Sequence, residues 1–276
     1  MKSSKELVKL PKELVKETQS VLIDKLMQDY ELKKEHVAEA VELYYDAQKL
    51  RIMHANKLRS EGQSELTTWF AKWLEYGEKL LYKKLEGWVN GPEAPAETKW
   101  AIEQYGIGPI IAAGLAAHID VTRARTVSAL WRFAGQDPTA DKKVKGQKLQ
   151  YNARLKTLCS YKLAESFVKV SAKEGARYGI LYAEFKREEL ERNESGRYAL
   201  AAKRELAAKN FKKPEIKKLL ESGKLPDGHL HSRAKRRAVK IFLQHYWLKA
   251  REARGLEINE PYAMAILKHS GQIKAA

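Results

Sequence analysis

The sequence predicts an all-α protein with a helix-hairpin-helix at its centre. Apolar residues recur at the three- and four-residue spacing of helices, and no strand-like alternation persists in residues 1–90. Glycine and proline cluster at a few points between these segments, and the clearest break is residues 90–95 (Asn-Gly-Pro-Glu-Ala-Pro). These breaks divide the chain into an N-terminal helical region (1–95), a central helix-hairpin-helix domain (96–162) and a basic C-terminal helical region (163–276).

The N-terminal region contains two apolar stripes with helical spacing. Gly62 separates them, and it is expected to end the first helix because glycine is favoured just past a helix C-terminus. We place the aromatic side chains of both stripes in the core. The first stripe is Val37, Val41, Tyr44, Tyr45, Ile52 and Met53, and the second is Trp69, Phe70, Trp73, Leu74, Leu80, Leu81 and Leu85.

The C-terminal half alternates helices with short polar breaks. Residues 136–148 are predicted as a lysine-rich loop, and helices resume near Tyr151, with Cys159 as a small core residue. Further breaks are expected at 193–196, at the Lys213-Pro214 helix start and at 222–228, before a long basic helix from Leu230 to Ala253 that Gly255 ends.

The composition favours a polyanionic partner. The chain of 276 residues has a formal net charge of +17 and a pI near 9.6, which suits DNA, RNA or an anionic membrane surface. The longest apolar run, residues 107–117, is too short to cross a bilayer, and the N-terminus lacks a signal-peptide pattern. We therefore expect a cytoplasmic protein without a membrane partner. We also expect no cofactor and no metal, because His229 and His231 alone do not make a metal site.

The central motif is Gly106-Ile107-Gly108-Pro109 between two apolar segments. Glycines at 106 and 108 permit positive φ and leave no Cβ, so the backbone can approach a phosphate closely. The N–H groups that open the second helix would then point at one anion, and proline suits the first helical position. Such a site contacts phosphates rather than bases, which predicts little sequence preference and strong salt dependence.

Two basic groups extend this predicted interface. Between Val121 and Lys162 there are ten Lys and Arg against two acidic residues. In the long basic helix, four basic residues share a face by their spacing, which fits either a phosphate-binding face or a solvated one. Together with Gly106, Ile107 and Gly108, the predicted nucleic-acid contacts are Arg123, Arg125, Lys142, Lys143, Lys145, Arg233, Arg236, Arg237 and Lys240.

Residues 97–162 resemble the C-terminal transposase domain of the bridge-RNA-guided insertion-sequence transposases. The likeness lies in the Gly-Ile-Gly-Pro hairpin, the acidic-to-basic turn at 119–125 and the Trp131–Gly135 ending. The chain is also similar, over nearly its whole length, to uncharacterised phage and plasmid proteins labelled transposase-like. In the transposases a serine nucleophile follows the Ala-Gly ending, whereas residues 136–146 contain no serine, and residues 1–90 read as helices where that family has an RNase H-like domain. The resemblance therefore implies the binding module without strand exchange.

These patterns predict a DNA-binding accessory protein of a phage or mobile element, with double-stranded DNA as partner and no catalytic site. Asp120 is the best single catalytic candidate, because glycosylases with this motif place an aspartate after the hairpin, but it also suits the N-cap of a helix starting near Val121. The alternatives are a diverged transposase, recombinase or glycosylase-like DNA enzyme, an RNA-binding module, and a protein-interaction factor whose hairpin only packs. The sequence leaves the oligomeric state open.

Overall fold

A computed structural model describes residues 30–62, 64–138, 145–208 and 213–258, and these contain helices and no β-strand. The predicted all-α class is confirmed, whereas the helix-hairpin-helix motif stays a prediction. The chain divides into two compact units, Met1–Leu85 and Glu86–Ala276. Within the described ranges, no helix is both long enough and apolar enough to pass through a membrane.

The first unit is built on two long helices. A short 3₁₀ turn (Lys34–His36) leads into α1 (Val37–Glu61), and α2 (Glu65–Asn90) follows. Gly62 adopts a φ of 88° at the end of α1, which confirms the predicted cap.

The two long helices are tied together by the buried Glu78. Its carboxylate accepts hydrogen bonds from Gln48 at 3.0 Å and from Arg51 at 2.6 Å. Two of the predicted core aromatics are not in the core, because Trp69 and Trp73 are 62% and 58% exposed. A helix that packs through one face leaves its opposite face uncovered, and α2 carries apolar side chains on both.

The second unit begins in the last turns of α2, and the predicted break at 90–95 separates α2 from α3. The helices that follow are α3 (Ala96–Ile102), α4 (Pro109–His118), α5 (Val127–Phe133), α6 (Ala153–Thr157), a π-helical segment (Leu158–Leu163), α7 (Ala164–Lys169), α8 (Arg177–Glu194), α9 (Ala199–Ala208), α10 (Pro214–Glu221) and α11 (Asp227–Glu252). The breaks predicted near residues 193, 213 and 222 fall between helices, and α11 starts three residues earlier than predicted.

The long helix α11 lies at the centre of the second unit, packed against α3, α5, α7 and α8. Phe242, on its buried face, stacks on Trp100 with ring centroids 5.6 Å apart and meets Tyr178 edge-on at 5.1 Å. Gly179 lets α8 approach α7 closely, since a Cβ there would lie 2.8 Å from the carbonyl oxygen of Val170. This packing fixes α3 and the helices that surround the predicted interface.

Candidate nucleic-acid interface

The segment between α3 and α4, residues 103–108, is the glycine turn. Gly106 has a φ of +89°, whereas Gly108 has a φ of −94°, so positive φ, expected at both glycines, occurs only at Gly106. A Cβ on Gly106 would lie 3.2 Å from the carbonyl oxygen of Ser166 and 3.3 Å from a methyl of Val170, while a Cβ on Gly108 would meet no atom within 4 Å. Gly106 therefore serves packing inside the protein, and Gly108 faces open space.

The start of α4 has backbone N–H groups that make no hydrogen bond within the described part of the chain. The N–H of Ile107 donates to the carbonyl of Gln104 at 3.1 Å, and its side chain is buried. The carbonyl of Gly108 accepts the first helical hydrogen bond, from Ala112. The N–H groups of Gly108, Ile110 and Ile111 have no acceptor within the described part of the chain. Unpaired N–H groups at a helix N-terminus are suited to an anion.

Three lysines lie on or just after the helical segment that packs against the glycine turn. The ammonium of Lys173 lies 4.3 Å from the centre of the Tyr105 ring. Lys162 and Lys169 stand one helical turn before and after Ser166, whose carbonyl is against Gly106. Burial lowers the pKa of Lys162, and repulsion from the charge of Lys169 lowers it further. An anion bound at the turn would relieve this repulsion.

These three lysines are absent from the contacts predicted by sequence. Lys162 is one of the basic residues of the central segment, but the sequence does not show that its helix packs behind the turn. The spacing of 162, 166 and 169 along one helical face is the signal that could have identified two of them, whereas Lys173 lies in the turn that follows α7. Glu103, an exposed carboxylate at the start of the turn, opposes an anion there.

Helix α3 is anchored to the end of α11 by a charged pair. Arg254 donates two hydrogen bonds, of 2.7 and 2.9 Å, to the carboxylate of Glu97, which is 2% exposed. Together with the stacking of Trp100 on Phe242, this pair holds one side of the glycine turn in place. A backbone site of this kind depends on such preorganisation, because its donors cannot turn as side chains do.

Arg123 and Arg125 follow the opposite end of α4. Both side chains are exposed on a segment that α11 holds through Arg251, which donates to the carbonyl of Val121 at 3.0 Å, and through Trp247, which donates to the carbonyl of Ala124 at 2.7 Å. Helix α4 is 10 residues long, so about 15 Å separates its ends. The structure therefore places these arginines and the glycine turn at different ends of one helix.

Asp120 caps a turn rather than a helix. Its carboxylate accepts hydrogen bonds from the backbone N–H of Thr122 at 3.0 Å and from the Thr122 hydroxyl at 2.6 Å, and these bonds lower the pKa of Asp120. The expectation that Asp120 starts a helix near Val121 is wrong, since the next helix begins at Val127 with Thr126 as its cap. The reason is that Val121–Arg123 forms a single turn.

A cleft of about 250 Å³ lies beside Asp120 at the C-terminal end of α4. Asp120, His118 and Arg123 are its polar lining, and Phe133 belongs to its apolar part. Across the described residues no three histidine, cysteine or acidic side chains are grouped as metal ligands. His231 instead bonds the hydroxyl of Tyr182, with 2.7 Å between Nδ1 and oxygen.

The predicted basic face of α11 is largely committed to the protein itself. Arg233 and Arg237 pair with Glu189 at 2.7 and 3.3 Å, and Lys240 lies 4.0 Å from the centre of the Trp131 ring. Burial lowers the pKa of Lys240.

The remaining basic residues of the predicted interface are Arg236, Lys145, Lys142 and Lys143. Arg236 is exposed and makes no ion pair with any described residue. Lys145 is exposed in a turn, whereas Lys142 and Lys143 lie outside the described residues. No family model, curated protein or solved structure matches the chain, so its function is inferred from its residues and their geometry.

Proposed function

We propose that this protein binds the phosphate backbone of double-stranded DNA through the glycine turn and the N-terminus of α4. The observation that carries the proposal is the set of uncommitted N–H groups at Gly108, Ile110 and Ile111, next to the open space that Gly108 faces. Three N–H donors and the positive end of a helix dipole match one phosphate. Lys162, Lys169 and Lys173 would add long-range attraction for the neighbouring phosphates.

The proposed site contacts the phosphate backbone of DNA and does not distinguish base sequences. Backbone N–H groups and lysines contact phosphate oxygens, which are the same at every base pair. The net charge of +17 adds a general attraction that salt weakens. A role as an accessory protein of a phage or mobile element is supported by the resemblance of residues 97–162 to a transposase domain.

Catalysis is not part of the proposal. Asp120 is bonded to Thr122 within its own turn, and a cap explains its position without a reaction. Strand transfer usually needs grouped carboxylates that hold Mg²⁺ or an activated nucleophile with its supporting groups. Cys159, the chain's one thiol, is fully buried, and burial raises its pKa to about 12.

The test is a binding titration of the full chain across a salt series. The probes are two labelled duplexes of unrelated sequence, one single strand and one RNA of the same length, followed by fluorescence anisotropy. We expect the two duplexes to bind equally, more tightly than the single strand or the RNA, with the logarithm of affinity falling linearly with the logarithm of salt concentration.

Charge removal beside the turn gives the matched comparison. Replacing Lys169 and Lys173 by glutamine should reduce the salt slope by about 0.9 for each phosphate that the variant no longer neutralises. The same change at two exposed lysines, Lys203 on α9 and Lys218 on α10, is the control and should leave the slope nearly unchanged. Affinity that differs between the two duplexes, or that ignores salt, would contradict backbone binding.

A further inference from the structure

The outer face of α2 carries an apolar stripe that no described part of the chain covers. Leu66, Trp69 and Trp73 are 72%, 62% and 58% exposed, and Tyr76 is also exposed. The spacing of three, four and three residues puts all of them on one side of the helix, with the half-buried Leu80 next in line. This side is opposite the one that binds α1 through Glu78. We call Leu66, Trp69, Trp73, Tyr76 and Leu80 the α2 stripe.

Exposed apolar stripes of this kind mark interaction surfaces. A soluble protein rarely exposes two tryptophans on adjacent turns, because leaving such large apolar surfaces in water forgoes the free energy of burial. Tryptophan and tyrosine are also the residues that contribute most at protein interfaces. The Trp73 ring is oriented within the unit, since it lies parallel to Phe70 with centroids 6.0 Å apart.

The stripe is complementary to itself when two copies of α2 run antiparallel. A two-fold axis between residues 74 and 75 brings Trp73 level with Tyr76 of the other copy, and Trp69 level with Leu80. The same operation brings Glu65 of one copy level with Lys84 and one residue away from Lys83 of the other. Aromatic and aliphatic side chains therefore meet in the middle, and opposite charges meet at both ends.

We propose that a second copy of this chain covers the α2 stripe, in an antiparallel, two-fold symmetric dimer. The paired segment from Glu65 to Lys84, which contains the α2 stripe, is about 30 Å long and one helix wide, so the interface is small. Small interfaces of this class are transient, and we expect a dissociation constant of the dimer on the order of micromolar. The dimer is independent of DNA binding at the glycine turn.

Sedimentation equilibrium of the full chain tests the association. We expect a monomer–dimer equilibrium that weakens at least about tenfold in a Trp69→Ala, Trp73→Ala variant. This variant should keep its fold, checked by circular dichroism, because both side chains are mostly exposed. A chain that stays monomeric at high concentration, or a dimer that the variant leaves intact, would overturn the proposal.

Engineered cysteines test the antiparallel register. The native Cys159 is fully buried and should not interfere. Trp69→Cys and Leu80→Cys variants should each fail to form a disulfide alone, because the paired cysteines would stand about 16 Å apart along the helix. An equal mixture of the two should form a disulfide dimer. Cross-linking of either variant with itself would mean a different arrangement.

Charge reversal provides a second, independent measurement. Lys83→Glu should weaken the dimer several-fold, and adding Glu65→Lys should restore it, since the pair is then inverted. Lys203→Glu changes the net charge equally and should have no effect on association. If single-stranded DNA quenches the tryptophan fluorescence of a strictly monomeric chain, and the Trp69→Ala, Trp73→Ala variant loses that quenching, the stripe binds nucleic acid and the dimer is refuted.

Discussion

Gly108 and Gly106 offer a controlled test of the glycine turn, because the structure assigns them different roles. At Gly108 the backbone has an ordinary φ of −94° and an added Cβ meets no atom within 4 Å. Gly108→Ala should therefore leave the free energy of unfolding unchanged, or raise it by about 0.4–1 kcal/mol through the unfolded state. Any loss of DNA affinity in this variant then comes from a lost contact with DNA and not from a change in the stability of the fold.

The expected loss follows from what the methyl group displaces. It enters the space through which a phosphate would reach the N–H groups of Gly108 and Ile110. A hydrogen bond to a charged group contributes about 1.5–3 kcal/mol, so disturbing one such bond should weaken binding about 10- to 150-fold. The bulkier Gly108→Val should bind more weakly still.

Gly106→Ala should show the reverse behaviour. Alanine at a φ of +89° costs about 1–2 kcal/mol, and its Cβ would press on the Ser166 carbonyl at 3.2 Å. We expect a lower unfolding temperature and weaker DNA binding together. The Gly108 substitutions thus lower DNA affinity without lowering stability, whereas Gly106→Ala lowers both.

Anisotropy titrations and urea unfolding of the same preparations give both quantities. Gly228→Ala is the matched control, since Gly228 also lies at the start of a helix, α11, with open space where its Cβ would be. A folded Gly108→Val protein that binds duplex DNA as tightly as the unmodified chain would refute phosphate binding at the turn.

Four further changes follow from named contacts. Glu103→Gln should tighten duplex binding about two- to fivefold, measured by anisotropy, because it removes the carboxylate of the turn; unchanged affinity would place the phosphate elsewhere. Glu189→Gln should cost about 3 kcal/mol near neutral pH. Burial alone would raise the pKa of Glu189, but hydrogen bonds from Tyr198 and Arg233 and nearby charges lower it. The carboxylate therefore stabilises the fold above the ordinary glutamate pKa, and this stabilisation is lost as pH falls through the pKa of the folded state. The free energies of unfolding of Glu189→Gln and the unmodified chain, measured in urea, should become equal on acidification. Arg236→Gln should leave the unfolding temperature unchanged and weaken DNA binding, whereas Arg233→Gln should lower the unfolding temperature because Arg233 pairs with the buried Glu189. Thermal unfolding and DNA titration of both variants measure this, and equal effects of the two changes would contradict the difference in role. A thiol reagent should leave native Cys159 unmodified, since its pKa is raised to about 12 by burial, and should react once urea unfolds the chain; rapid labelling without urea would contradict the buried position.

The helical class and several helix ends follow from local sequence patterns. The periodic apolar residues, the cap at Gly62 and the break at residues 90–95 act locally, through backbone conformation and the hydrogen bonds of a few neighbouring residues. The glycine turn at residues 103–108 was predictable for the same reason, since a turn between two helices needs specific residues at adjacent positions.

Long-range packing sets which charged and aromatic side chains are accessible. By its helical spacing Arg233 lies on the predicted phosphate-binding face of α11, but it pairs with Glu189, which lies 44 positions earlier in the chain. The helical segment that carries Lys162 and Ser166 is brought against Gly106 by packing between helices distant in sequence, and Trp69 is exposed because α2 binds α1 through its other face. Helical periodicity fixes which side chains share a face, and the long-range packing of helices fixes what that face meets.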